Sequence, residues 1–201
     1  MEVLLNNISK RYLYEWIIRD LSIAFPSGSI QGITGINGSG KSTVIKMISG
    51  FLSASKGDIE YSMDNKNIGR SDIYKYISLA APYTDLINEY DAGENFQFHT
   101  KFKNVVKGIE KGEFLEIVKL DKNKGKQIQY YSSGMKQRLQ LGLAILTDAP
   151  LLLLDEPTSY LDKENKYWFY DLLSTYKKGK TIIIASNDEE DFQFCEKVHN
   201  I

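Results

Sequence analysis

The residues best suited to chemistry lie at positions 35–43, which read Gly-Ile-Asn-Gly-Ser-Gly-Lys-Ser-Thr. This order matches a phosphate-binding loop, in which a glycine and four further residues precede Gly-Lys and then Ser or Thr. Glycines let the backbone curl so that its N–H groups point at phosphate oxygens. Lys41 would neutralise the β- and γ-phosphates of a nucleotide, and the hydroxyl group of Ser42 would bind Mg²⁺. The predicted nucleotide-binding residues of this segment are Asn37, Gly38, Ser39, Gly40, Lys41, Ser42 and Thr43.

Two elements must hold this loop in place. Residues 30–34 are a short apolar run typical of a strand, and residues 44–49 are predicted to form a helix that ends at Gly50. The N-terminus of a helix carries a partial positive charge, which adds to the attraction for phosphate. A glycine-rich turn before a surface helix is the alternative, and the Lys-Ser pair between these elements disfavours it.

A second set of polar residues follows two apolar runs. One unbroken run ends at Asp155 and Glu156, and residues 181–185 form another that ends before Ser186 and Asn187. Such runs are typical of parallel strands buried on both faces, and ligands bind at the carboxyl ends of such strands. We therefore expect these side chains to lie beside the phosphate-binding loop. Asp155 would contact Mg²⁺, and Glu156 would polarise the water that attacks the γ-phosphate.

The remaining sequence predicts an α/β fold with an insertion. Residues 2–25 alternate as two antiparallel strands would, whereas residues 83–146 have a helical pattern. We predict one domain, in which residues 1–82 and 147–201 form the nucleotide-binding core with its β subdomain and residues 83–146 form a helical insertion. Further predicted elements are a turn at 56–58, strands at 59–62 and 73–80, a loop at 63–72, helices at 135–146 and from Asp162 to about Lys178, and a short amphipathic closing helix at 191–195.

Composition narrows the class of protein. The 201 residues include 25 basic and 26 acidic side chains. The chain therefore has no surplus of positive charge of the kind that indicates a nucleic-acid partner. One cysteine excludes an internal disulfide and fits a reducing compartment. No signal peptide and no apolar run of membrane-spanning length is visible. These features predict a soluble, cytoplasmic chain that reaches a membrane only through a partner.

Taken in order, the motifs resemble those of the ATP-binding subunit of an ABC transporter across essentially all 201 residues. Residues 35–43 are similar to the Walker A motif of that family, and residues 151–156 to its Walker B motif with the catalytic glutamate. Residues 159–162 are similar to its D-loop. Residues 131–135, Tyr-Ser-Ser-Gly-Met, stand where the family signature reads Leu-Ser-Gly-Gly-Gln.

The resemblance implies a fold, a site and partners. It implies a P-loop NTPase core with a mostly parallel sheet, an antiparallel β subdomain and an inserted helical subdomain. Two subunits would face each other around two Mg·ATP, with Ser132 and Gly134 of one binding the γ-phosphate held by the other. Tyr12 would stack on adenine, and residues 83–100 would dock a transmembrane permease at the inner face of the cell membrane. From the residues alone, Tyr12 also suits a loop tyrosine and Ser132 an ordinary helix cap.

The sequence departs from the family pattern in three segments. Pro82 replaces the usual glutamine before the insertion, and Asn187 replaces the switch histidine that assists catalysis; Ser133 and Met135 alter the signature. We therefore expect ATP binding with slow hydrolysis. Two alternatives remain open at this point, which are a soluble ABC-type ATPase of a cofactor-assembly complex and a nucleotide-gated interaction module with little hydrolysis.

Overall fold

The computed structural model describes residues 1–201. The chain divides into two compact units, which are described separately. The first comprises residues 1–79, 150–156 and 178–201, and it holds the strands and the phosphate-binding loop. The second comprises residues 80–149 and 157–177 and is mainly helical.

An antiparallel sheet opens the first unit. Strands β1 (Glu2–Tyr12) and β2 (Glu15–Phe25) pair as a hairpin, which confirms the two strands predicted there. Strand β4 (Lys56–Met63) pairs with β1, and the short β5 (Lys66–Asn67) lies at the edge, so the order is β2-β1-β4-β5. Alternating apolar residues of β1 are buried, as expected of a sheet with one face on the core.

A second sheet positions the chemistry. Its strands are arranged in the order β6-β7-β8-β3-β9, and β3 pairs in parallel with β8 on one side and with β9 on the other. Strand β7 is also parallel to β8, which confirms the predicted parallel core. The bounds are β3 (Ile30–Thr34), β6 (Ile77–Ala80), β7 (Leu151–Asp155), β8 (Thr181–Ala185) and β9 (Lys197–Asn200).

Buried aliphatic side chains hold the phosphate-binding loop between its two elements. Helix α1 (Lys41–Ile48) begins within the motif at positions 35–43, three residues earlier than predicted from the sequence, and packs against β7. Its inward residues share one hydrophobic core with strands β3, β7 and β8; the fully buried members include Ile33, Val44, Ile45, Ile48, Leu151, Leu153 and Ile183. The burial of this apolar surface fixes where β3 ends and α1 starts.

Four helices form the second unit, namely α2 (Ala92–His99), α3 (Lys111–Ile117), α4 (Ser133–Leu146) and α5 (Lys163–Tyr176). Asp91 and Glu94 form a capping box at the start of α2, and Asp162 caps α5 as predicted. The rings of Phe96 and Phe114 stack with centroids 4.3 Å apart and join α2 to α3.

Some local predictions are wrong. Residues 56–58 are not a turn but the start of β4, where Gly57 has a φ of +75° next to a register shift in β1. Only residues 77–80 of the strand predicted at 73–80 are extended, because Arg70–Lys75 forms a 3₁₀ helix. Residues 191–195 are not an amphipathic helix; a 3₁₀ helix ends at Phe192, and β9 follows.

Candidate functional site

The loop after β3 is open at one glycine and tightly packed at another. Gly38 and Gly40 have φ values of +86° and +106°, conformations that L side chains rarely adopt. A methyl group on Gly38 would meet no atom within 4 Å, whereas one on Gly40 would collide with the side chain of Ile18. The space beside Gly38 is therefore available to a ligand, and β2 supports the loop at Gly40. No side chain caps α1, and its first turn carries no acidic residue, so an anion can take the place of a cap.

Lys41 places a positive charge inside the curve of this loop. The side chain is 5% exposed, and its Nζ atom donates to the carbonyl oxygens of Gly35 at 2.8 Å and Ile36 at 3.3 Å. The same atom lies 3.9 Å from the Oε1 atom of Glu156. The ammonium group is thus held by neutral carbonyls and one carboxylate at a position where a phosphate could bind.

Glu156 reaches the loop because of its backbone conformation at the end of β7. Its φ is +49°, and its N–H group donates to the carbonyl oxygen of Ala185 at 2.8 Å. Burial raises the pKa of Glu156 above the usual value for a carboxyl group; the Lys41 ammonium counteracts this rise, and Asp155 adds to it. A partly buried carboxylate with a raised pKa suits proton abstraction.

Asp155 and Ser42 carry oxygen atoms of the kind that could bind a metal ion. Asp155 is fully buried as the last residue of β7, and Ser42 lies in the first turn of α1. A carboxylate and a hydroxyl group match the hard oxygen ligands that Mg²⁺ prefers, with phosphate oxygens and waters completing the coordination. The residues present therefore fit Mg²⁺.

The side chain of Asn187 lies beside the phosphate-binding loop, as predicted. Its side-chain Nδ2 atom donates to the Oδ1 atom of Asn37 across 3.1 Å. The end of β8 thus faces the beginning of the phosphate-binding loop. An amide in this position can donate a hydrogen bond to a phosphate but cannot take up a proton.

The sequence analysis did not identify Asp191 as a neighbour of the candidate site. Its carboxylate accepts a hydrogen bond from the hydroxyl group of Ser186 at 2.6 Å, and the same hydroxyl lies 3.4 Å from the Oε2 atom of Glu156. Asp191 is buried in the 3₁₀ helix Glu189–Phe192, which follows Asp188. The signal available in the sequence was the acidic run 188–191 directly after a polar residue at the end of a buried strand.

Tyr12 is placed at the exposed end of β1. Its side chain is 46% exposed, and the Nζ atom of Lys10 lies 5.2 Å from the centre of its ring. The structure thus gives Tyr12 a partly exposed ring beside the ammonium group of Lys10. Adenine stacking at Tyr12 stays a prediction.

Ser132 and Gly134 lie in the helical unit. The Oγ atom of Ser132 accepts a hydrogen bond from the N–H group of Met135 and caps α4. A methyl group on Gly134 would lie 3.1 Å from the carbonyl oxygen of Tyr160, so this glycine allows a close backbone approach. Ser132 therefore acts as the helix cap considered from the sequence, and a phosphate contact by either residue stays a prediction.

The exposed Pro82 lies at the rim of a cavity in the helical unit. The cavity has a volume of about 260 Å³ and is also lined by Thr84, Gln137, Gln140 and Tyr160. Gln137 donates to the carbonyl oxygen of Pro157 at 2.7 Å, and Gln140 donates to that of Thr84. Proline supplies no side-chain oxygen at this position.

The combination of a strand, a glycine loop with Lys-Ser, a helix and a neighbouring buried strand that ends in two carboxylates defines a P-loop NTPase core. The family model described as ABC transporter matches residues 18–159, which is well over half of the chain. The chain therefore belongs to the ABC transporter ATP-binding family.

Curated relatives agree with this assignment. The chain is 32% identical over 186 residues to an uncharacterized ABC transporter ATP-binding protein, YybJ, of Bacillus subtilis, covering 92% of this chain and 85% of the relative. It is 31% identical to the Nod factor export ATP-binding protein I of Rhizobium johnstonii and to the bacitracin transport ATP-binding protein BcrA of Enterococcus faecalis. These matches cover 96% and 90% of this chain, but the chain spans only 64% and 59% of those two relatives.

Solved structures show the same fold. A dimeric bacterial ABC transporter cassette matches with a TM-score of 0.83 at 23% identity, covering 99% of this chain and 94% of the other. A dimeric post-hydrolysis state of an ATP-binding cassette with ADP and phosphate bound matches with a TM-score of 0.82 at 24% identity, over 99% and 94% of the two chains. In this chain, no helix is both long and apolar enough to span a membrane.

Proposed function

We propose that this chain binds and hydrolyses ATP as a subunit of a membrane transporter. The observation that carries the proposal is the proximity of Lys41 and Glu156. Their charged groups lie 3.9 Å apart at the phosphate-binding loop. A cation that binds phosphate and a carboxylate able to accept a proton are the two side chains that γ-phosphate hydrolysis needs at one place.

Triphosphate binding would use the loop and Lys41. The backbone N–H groups around Gly38 and at the start of α1 would bind phosphate oxygens, and Lys41 would exchange the carbonyl oxygens of Gly35 and Ile36 for charged phosphate oxygens. Mg²⁺ held by Ser42 and Asp155 would supply charge neutralisation when bound. The ring of Tyr12 would stack on the adenine.

Hydrolysis would depend on Glu156. Its carboxylate would orient a water molecule and take a proton from it as the water attacks the γ-phosphate. The raised pKa that burial gives this group strengthens it as a base. Asn187 would donate a hydrogen bond to the γ-phosphate from a position already next to Asn37.

We further propose that two copies of the chain close around two ATP molecules. Ser132 and Gly134 at the start of α4 would bind the γ-phosphate held by the partner copy, since a helix N-terminus suits an anion. Closure with ATP and opening after hydrolysis would then be the working cycle. The dimeric cassettes with the same fold support this arrangement.

The proposed partner outside the pair is a transmembrane permease. The relatives named as Nod factor export and bacitracin transport proteins support a transport role, and residues 83–100 of the helical unit would provide the docking surface. Purification in mild detergent followed by mass spectrometry tests this step. A membrane-spanning protein is expected to co-purify, and a soluble cofactor-assembly complex in its place would contradict the transport role.

The hydrolysis step is tested by a Glu156→Gln variant. This substitution removes the base but keeps the shape of the side chain, so ATP is expected to bind without being cleaved. Size-exclusion chromatography with Mg·ATP should then show a persistent dimer, and steady-state ATPase activity should fall at least about 100-fold.

The matched control is the double variant Glu156→Gln, Lys41→Ala, which should elute as a monomer because ATP binding is lost. A Glu156→Gln variant that stays monomeric with Mg·ATP would contradict the paired arrangement. Wild-type ATPase activity retained in the same variant would contradict the role of Glu156.

A further inference from the structure

The tip of the β1–β2 hairpin carries the two most exposed large apolar residues of the chain. Tyr12 and Glu15 pair across the hairpin, which leaves Leu13 and Tyr14 as its two-residue loop. Leu13 is 88% exposed and Tyr14 is 96% exposed, so neither side chain packs in a core. Burial on folding therefore gives no reason for apolar residues at this tip.

The backbone conformation of Leu13 also disfavours leucine. Its φ is +51°, in the left-handed region for which two-residue hairpin loops prefer asparagine, aspartate or glycine. A leucine in this conformation costs free energy of folding and gains no buried contacts in return. A residue that departs from the usual turn chemistry and contacts no core indicates a role outside the fold.

Positive side chains surround the hairpin directly behind its tip. Trp16 pairs with Arg11 across the hairpin, and the guanidinium carbon of Arg11 lies 5.4 Å from the centre of the Trp16 ring. The Nζ atom of Lys56 lies 5.3 Å from the same centre, and Arg19 and Lys56 line a cavity of about 210 Å³ beside Trp16. Lys10 of β1 adds a fourth positive charge. Residues 10–20 together with Lys56 form the hairpin patch.

The positive side chains of the hairpin patch have no carboxylate partners. No carboxylate oxygen lies within 4 Å of their amino or guanidinium nitrogens. The two acidic residues of the patch are Glu15 and Asp20, and Asp20 accepts a hydrogen bond from the hydroxyl group of Ser9 at 3.2 Å. Four positive charges against two negative ones leave the patch positive, although the chain as a whole has a net charge of −1.

We propose that the β1–β2 hairpin binds an anionic lipid surface directly, with Leu13 and Tyr14 at the edge of the acyl chains and the positive side chains on lipid phosphates. A strand rises about 3.3 Å per residue, so Arg11 and Trp16 lie roughly 7 Å behind the tip, at the depth of the headgroups. Tyrosine and tryptophan favour this interface because each joins an apolar ring to a polar group.

A lipid surface fits the hairpin patch better than other anionic partners do. The chain belongs to the ABC transporter ATP-binding family, and an apolar tip ahead of positive side chains matches the layers of a bilayer. This contact needs neither nucleotide nor a permease, so it does not depend on the proposed function. It also differs from the expectation that the chain reaches a membrane only through a partner.

Co-sedimentation of the nucleotide-free chain with lipid vesicles tests the proposal. The two samples are vesicles of phosphatidylcholine alone and vesicles that contain about one third phosphatidylglycerol, for which the affinity should be at least about tenfold higher. Binding to the anionic vesicles should weaken as salt is raised to about 0.5 M, because salt screens the charges. Equal binding to both vesicles, or binding to neither, would overturn the proposal.

The apolar tip is tested by the double variant Leu13→Asn, Tyr14→Gly. Asn-Gly is the loop that a two-residue hairpin favours, so urea unfolding should show a free energy of unfolding no lower than that of the wild type. The affinity for anionic vesicles should nevertheless fall about tenfold, because the apolar contacts are lost. Phe51→Ser is the matched control, since it removes another exposed apolar side chain of the same unit and should leave binding unchanged. An unchanged affinity in the double variant would contradict a role for the tip.

The positive side chains are tested by the double variant Arg11→Gln, Arg19→Gln. Its affinity for anionic vesicles should fall about tenfold, because two contacts with lipid phosphates are lost. The control variant Lys66→Gln, Lys178→Gln removes the same total charge from exposed positions and should bind nearly as the wild type does. Equal losses in the two variants would show that only the net charge of the chain matters, and the assignment to the hairpin would then be wrong.

Discussion

The side-chain amide of Asn187 donates a hydrogen bond to the side-chain oxygen of Asn37, and the two atoms are 3.1 Å apart. This bond links the end of β8 to the beginning of the phosphate-binding loop, two parts of the chain that are 150 positions apart in sequence. The bond thereby holds the side chain of Asn187 beside the phosphate-binding loop.

Asn187→His is expected to raise steady-state ATPase activity about tenfold, because imidazole can carry a positive charge towards the γ-phosphate and an amide cannot. The measurement is phosphate release from the purified chain under saturating Mg·ATP. Asn187→Ala serves as the control and should be slower than the wild type, since it removes the donor altogether. Fast wild-type turnover that the histidine leaves unchanged or slows would contradict the expectation.

Two neighbouring glycines are expected to respond differently to alanine. Gly40→Ala should lower the free energy of unfolding by about 3 kcal/mol, because it adds a collision with Ile18 to an unfavourable positive φ. Gly38→Ala should cost about 1 kcal/mol, since only the backbone conformation is unfavourable there. Urea unfolding without nucleotide measures both.

A third variant locates the cause of the larger loss. Truncation of Ile18 to alanine makes room for the new methyl group, so the cost of Gly40→Ala should be smaller in an Ile18→Ala background. Equal losses for Gly38→Ala and Gly40→Ala would show that β2 does not press against the loop at Gly40.

The helical unit is expected to lose stability in mild acid through His99. The Nε2 atom of His99 lies 2.8 Å from the Oγ1 atom of Thr147, and burial, with a contribution from Lys103, lowers the pKa of His99 to about 4. Between pH 6.5 and 4 the unfolded chain binds a proton that the folded chain does not, so the free energy of unfolding falls as the pH falls. Compared with its value well above pH 6.5, the free energy of unfolding should be about 2 kcal/mol lower at pH 5 because of His99.

Comparison with His99→Gln isolates this contribution from that of other groups. Glutamine does not titrate, so the variant should lose less stability than the wild type between pH 7 and pH 5. Urea unfolding at both pH values provides the four free energies needed. Parallel losses in the two proteins would show that His99 does not remain neutral in the folded chain.

Strands buried on both faces were readily predicted from the sequence, and the exposed edge strand was not. The runs at β7 and β8 are continuous apolar segments, and every residue of both strands is buried. By contrast, β9 carries mostly exposed residues and is extended only because it pairs with β3, which lies 166 positions earlier in the chain. Pairing of this kind leaves no periodic pattern in the strand itself.

The same distinction applies to the candidate site. Glycines, a lysine and paired carboxylates at fixed spacing have few uses other than phosphate and metal binding, so Lys41 and Glu156 stood out in the sequence. The link from Glu156 to Asp191 through Ser186 depends on a 3₁₀ turn that the sequence suggested to be an ordinary helix. Serine and aspartate after a strand are common, and only their distances reveal the connection.

The environment of Cys195 affects how the chain can be studied. This single cysteine is partly buried, and burial, with contributions from Asp191 and Glu196, raises the pKa of its thiol to about 12. At neutral pH this thiol is therefore protonated and unreactive. A cysteine introduced on an exposed face could therefore be coupled to a fluorescent or spin label while the native residue stays in place, which opens distance measurements between two copies as nucleotide is added.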